Sequence, residues 1–102
     1  MTGRASLFVA LGEVELHFPG ARTLKDKRHD LRSLIDRVRA RCTVLVVESD
    51  HQELHQRAGL ALSSLASDAD AARATVARAL DLVHSACPGV VLEERINVVQ
   101  VR

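Results

Sequence analysis

The stretch Phe18-Pro19-Gly20-Ala21-Arg22-Thr23-Leu24-Lys25-Asp26-Lys27-Arg28, continuing to Cys42, switches the chain from an alternating to a helical pattern. Pro19-Gly20 is a turn dipeptide, unsuited to the interior of a helix or a central strand. Thr23 is then placed to cap a helix, and Asp26 three residues on suits both a capping box and the positive end of the helix dipole. Leu24, Leu31, Leu34, Ile35, Val38 and Cys42 recur at about 100° per residue, which predicts a helix burying one apolar stripe. On the same wheel Lys25, Arg28, Arg32 and Arg39 form a basic flank beside that stripe, with Arg22 and Lys27 at the helix entrance. Lys27 falls inside the apolar arc. Between Arg22 and Arg41 stand eight basic and three acidic residues in a chain of net charge +1, so the remaining segments are acidic on balance.

Before this helix, Leu7, Val9 and Leu11 alternate on odd positions, and Val14, Leu16 and Phe18 on even ones. Gly12 lies at the change of phase, which predicts a strand with a bulge there. After the helix, Thr43 to Val47 is a short valine-rich run, as expected of a strand in the middle of a sheet. A polar connection, Glu48 to Arg57, leads to a further strand over Ala58 to Ser67. Ser67 and Asp70 predict the start of a second helix with the stripe Ala72, Val76, Ala79, Leu80, Val83 and Cys87, which Pro88-Gly89 ends. Val90 to Val101 reads as a last strand, with Glu94 and Gln100 as polar intruders on its apolar phase.

The order strand, helix, strand, strand, helix, strand over a single domain, residues 1–102, predicts an α+β ferredoxin-like βαββαβ sandwich: a four-stranded antiparallel sheet with two helices on one face. The other face then needs a cover for its apolar residues, which predicts a homodimer.

Composition narrows the function classes. No segment approaches the ~18 uninterrupted apolar residues of a membrane helix, and Met1 to Leu11 lacks the shape of a secretory leader, so the expected location is cytoplasmic and no membrane partner is expected. Cys42 and Cys87 end the two predicted helices on their apolar sides, where buried thiols are expected. With Phe8 and Phe18 as the only aromatics, stacking on bases is not a main device. Neither a P-loop nor a dinucleotide-binding spacing of glycines occurs, and no GxSxG surrounds a serine, so no cofactor is predicted.

Two clusters remain. The basic set Arg22, Lys25, Lys27, Arg28, Arg32 and Arg39 suits phosphate oxygens, through guanidinium forks and a helix N-terminus, and predicts contact with RNA, a ribosomal particle or another polyanion. The alternative is Asp50, His51, Glu53 and His55: two histidines at i and i+4 with carboxylates beside them could hold a metal ion in a metal-dependent or small-molecule-binding protein, provided the segment is helical. On a strand those histidines stand about 13 Å apart.

Gly12-Glu13-Val14-Glu15-Leu16-His17, Pro19-Gly20-Ala21-Arg22, Leu24-Lys25-Asp26-Lys27-Arg28, Ser33-Leu34, Glu48, Asp50-His51-Gln52 and Gln56-Arg57-Ala58 together resemble the YlxP-like family, a bacterial domain of unknown function. The resemblance spans nearly the whole chain. It implies the same ferredoxin-like fold and a small cytoplasmic protein whose genes often adjoin those for translation initiation and ribosome maturation. It assigns no role to these motifs. His29, Asp30 and His55 depart from the family's usual residues.

Overall fold

A computed structural model of the chain describes residues 5–102; what was read from Met1 to Arg4 lies outside them. The elements are β1 (Phe8–His17), α1 (Leu24–Arg41), β2 (Leu45–Asp50), β3 (Arg57–Ala66), α2 (Ala69–Ala86) and β4 (Val90–Gln100). Every strand pair is antiparallel, in the order β2-β3-β1-β4. Both helices pack on one face, α2 against β1, β3 and β4 and α1 against β2 and α2, giving the ferredoxin-like sandwich.

Strand β1 keeps one phase throughout. Ala10, Gly12, Val14, Leu16 and Phe18 are all buried beneath the helices, whereas Val9, Leu11, Glu13 and Glu15 face the other way. The bulge expected at Gly12 is not there, and the ladder to both neighbours passes it unbroken. Glycine is required for another reason: a Cβ would sit 2.6 Å from Val76 Cγ1, so α2 crosses the sheet at a separation that only a bare Cα allows. The irregularities fall elsewhere. Between Glu15 and Leu16 the partner on β4 steps from Glu93 to Val91, leaving Leu92 as the extra residue, and β2 skips Ser49 in its pairing with β3.

The valine-rich run also departs from expectation, because β2 is an edge strand and not a central one. Of its apolar residues Val46 is buried, while Leu45 and Val47 are 76% and 59% exposed on the uncovered face.

The helices begin as capping chemistry dictates. Asp26 donates its N–H to Thr23 Oγ1 at 3.1 Å, and its Oδ2 accepts from the Arg22 N–H at 2.9 Å. In α2 the cap is Asp68 and not Ser67, with the Ala71 N–H donating to Asp68 Oδ2 at 2.9 Å; a carboxylate adds charge where the helix dipole is positive. Glu94, the polar intruder on β4, reaches His84 of α2 at 2.8 Å at the rim of the helix layer. Cys42 and Cys87 are half-buried free thiols, and burial pushes the Cys87 thiol up.

Candidate functional site

Arg22, Lys25, Arg28, Arg32 and Arg39 are all exposed along α1 and its entrance. Among the described residues, none of them forms an ion pair with a carboxylate. The nearest acid at the entrance, Asp26, is engaged with the backbone as part of the helix cap. Arg28, Arg32 and Arg39 line a groove of about 490 Å³ between α1 and the β2 edge, with Leu31 and Ile35 beneath, Val46, Val47 and Glu48 opposite, and Asp36 as the acid on the helix side. Arg39 Nη2 also donates to the Val46 carbonyl at 2.8 Å. That bond occupies an acceptor of the edge strand, which discourages pairing by a further strand, and it uses one of the guanidinium's five donors.

Lys27 does not belong with these cations. Its side chain is 1% exposed, and its ammonium donates to the carbonyls of His51 at 2.9 Å, Arg57 at 3.2 Å and Gln52 at 3.3 Å, with Glu48 Oε2 at 3.4 Å. A position inside the apolar arc takes the Lys27 stem into the core, and the strand connection closes around its charged end. The expectation that Lys27 contacts an outside polyanion is therefore corrected: its partners are internal.

The second cluster is likewise rearranged. Residues 51–56 form a turn rather than a helix, so the i, i+4 argument for His51 and His55 does not apply. Asp50, His51, Glu53 and His55 do not converge, and among the described residues no group of three His, Cys, Asp or Glu side chains is placed to hold a metal ion. His51, at φ 58°, turns instead toward β1, with Nε2 2.6 Å from Glu15 Oε1, while Asp50 Oδ1 accepts the His51 N–H at 3.0 Å. The same Glu15 oxygen accepts from Arg57 Nη2. The Arg57 hydrogen bond first and the His51 contact second hold the Glu15 carboxyl below its ordinary value of 4.5. Glu15 and His51 border a shallow pocket of about 200 Å³ shared with Glu13, Asp50, Glu93 and Arg95. Arg95 Nε donates to Glu13 Oε2 at 2.7 Å. The sequence reading missed the Glu15, His51 and Arg57 contact because it depends on the register that sets Glu15 opposite Gly59.

The motifs that carry the family resemblance meet at this end of the sheet. Gln56 Nε2 donates to the Ala21 carbonyl at 3.3 Å, and the Gln56 carbonyl accepts the Phe18 N–H at 2.8 Å. Lys27 and Gln56 thus bind the turn after β1, the start of α1 and the β2–β3 connection into one unit. Their role there is to close the fold, and of the outward cations of α1 Lys25, Arg28 and Arg32 are left without an internal hydrogen bond among the described residues, while Arg39 keeps its bond to Val46.

A family model described as a protein of unknown function (DUF503) matches residues 9–96. No curated protein matches the sequence. Among solved structures, a de novo designed protein, Foldit4, superposes with a TM-score of 0.48 at 11% identity, over 94% of this chain and 97% of that one. LarC2, the C-terminal domain of a cyclometallase involved in the synthesis of the NPN cofactor of lactate racemase, in its apo form, superposes at 0.46 with 13% identity, over 93% of this chain and 56% of that one. At such identities neither likeness bears on function. Among the described residues no helix is long and apolar enough to cross a membrane.

Proposed function

The chain belongs to the DUF503 family of proteins of unknown function, so its role has to be argued from its surface, and we propose that it is a binding module whose helix α1 lies along an RNA backbone. The observation that supports this is the row of exposed cations without acid partners, Lys25, Arg28, Arg32 and Arg39, beside the groove at the β2 edge. From Lys25 to Arg39 the row extends about 21 Å at 1.5 Å per residue, enough to span several phosphates. Arginine forks suit phosphate oxygens in pairs. The acidic balance of the rest of the chain turns this side toward a polyanion and the others away. With two phenylalanines and no other aromatics, recognition rests on phosphates and not on stacked bases, so affinity is salt-dependent and largely blind to sequence. A place near the ribosome, implied by the resemblance to the YlxP-like family, agrees with this reading.

The test is binding of a labelled RNA duplex and a labelled single strand at two salt concentrations by wild type and by an Arg28→Glu, Arg32→Glu variant. The variant is expected to bind at least tenfold more weakly. The slope of log affinity against log salt should shrink by one to two, since each lost phosphate contact removes about 0.7–0.9. Equal affinity and slope in the two proteins would remove the proposal.

A further inference from the structure

The face of the sheet opposite the helices is divided along its length. The registers place Val9 beside Leu65 and Val99 in one row across the strands, and Leu11 beside Ser63, Leu45 and Asn97 in the next, with Val47 following on the edge. Leu45, Leu65, Val47 and Val99 are each more than half exposed, and Leu11 is 37% exposed. The rows beyond are charged, and most of their charges are matched within the chain: Glu13 with Arg95, and Glu15 with Arg57 and His51, while Glu93, beside Glu15, has no ion-pair partner among the described residues.

From this division we propose that the open face is covered by a second copy of the same chain, the two sheets packing face to face about a two-fold axis that runs along the strands. Such an axis lays each row of one sheet on the same row of the other, with β3 over β1 and β2 over β4, so that Val9 and Leu65 of the two copies meet at the apolar end and the charged rows meet at the other end, as an isologous interface requires. The charge pattern argues against other occupants. A polyanion would need unpaired cations here, and the arginines of this face are taken by its own glutamates. A membrane surface would call for unpaired basic residues and interfacial aromatics; the arginines of these rows are paired with glutamates, and no aromatic residue lies on them.

The size also fits. Three strands of ten or eleven residues and one of six, about 33 Å and about 20 Å long and spaced about 4.8 Å apart, offer roughly 570 Å² on each copy, so the pair would bury about 1,100 Å² in total, just above the ~1,000 Å² that a biological interface should clear. In the resulting four-layer assembly the α1 helices lie on opposite outer surfaces. Each keeps its cations accessible, so the dimer would present two equivalent basic strips.

Sedimentation equilibrium on the full chain, run alongside Leu65→Asp and Leu45→Asp, Leu65→Asp variants, tests the proposal. Wild type is expected as a dimer at micromolar concentration, with at least a hundredfold weaker association in the double variant. Circular dichroism should show both variants folded, because the substituted side chains are exposed in the protomer. Leu65→Ala, which keeps the face neutral, should weaken association by a smaller factor. A wild type that stays monomeric at 100 µM, or a folded double variant that dimerises as well as wild type, would overturn the proposal. Loss of the dimer with RNA binding retained by the monomer would leave the reading of α1 standing, so the two can fail separately.

Discussion

The two ends of the sheet are finished in opposite ways. At the end where β1 runs into α1, polar side chains close the structure from within: Lys27 on three carbonyls, Gln56 on Ala21, and Arg57 and His51 on Glu15. At the other end the outward residues are Val9, Leu65 and Val99, two of them well exposed. The first end carries polar groups that would be costly to bury unpaired, and it supplies partners for most of them internally, the buried Arg57 Nε being the exception. The second carries apolar surface that nothing in the protomer covers. Internal completion marks a region that stabilises the fold, whereas the incompletely buried end is where the proposed second copy would sit.

The comparison breaks most readily at Lys27. Lys27→Met removes the ammonium and leaves three carbonyls and Glu48 without their donor, so a loss of about 3 kcal/mol is expected in urea unfolding. A loss below ~1 kcal/mol would mean that water replaces the ammonium and that this end is not closed in the way described. Gly12→Ala, near the middle of β1, drives a methyl against Val76 and should lower stability by about 2 kcal/mol. A second change, Val76→Ala, should recover part of that loss, which identifies the close crossing of α2 as the cause.

A pH titration sharpens the same contrast. Glu15 has a folded value below 4.5 because Arg57 and His51 hold its charged form. The stability this contributes is present above pH 4.5 and is lost as pH falls through the depressed folded value. Glu15→Gln should therefore show a shallower fall in stability below pH 4.5 than wild type, read from urea midpoints at several pH values. Parallel curves would show that the contact with Arg57 adds nothing in solution. The smallest effect is expected at the far end, where Leu65→Asp should change the stability of the isolated protomer by less than about 0.5 kcal/mol, whatever it does to association.

The fold was legible because its signals are local. Thr23 and Asp26 announce α1, the 3.6-residue stripes define both helices, and Pro19-Gly20 and Pro88-Gly89 separate the elements. What was hidden depends on register and neighbours. Leu7, Val9 and Leu11 are apolar because they lie on the uncovered face, and from the sequence alone that looks the same as a bulge that turns them inward. The run from Val44 to Val47 has the composition of a central strand for a similar reason, since an edge with an exposed apolar face is as rich in valine as a buried strand. Lys27 gave a partial signal by falling in the apolar arc, but the three carbonyls that receive it come from a connection more than twenty residues away. His51 looked like half of a metal pair until its backbone, at φ 58°, turned it toward Glu15. The outward cations Arg28, Arg32 and Arg39 were legible as a set from the helical wheel, whereas the groove beside them needed the β2 edge to form.

The burial of Lys27 also supplies a chemical clock. The chain has two lysines, Lys25 and Lys27, two positions apart. The first is in solvent, while the second is sealed beneath the β2–β3 connection. An acylating reagent that attacks amines will modify Lys25 at the rate of a free side chain, and Lys27 only during the fraction of time that the connection lifts away. The ratio of the two rates, read by mass spectrometry from one peptide, reports how often that end of the molecule opens.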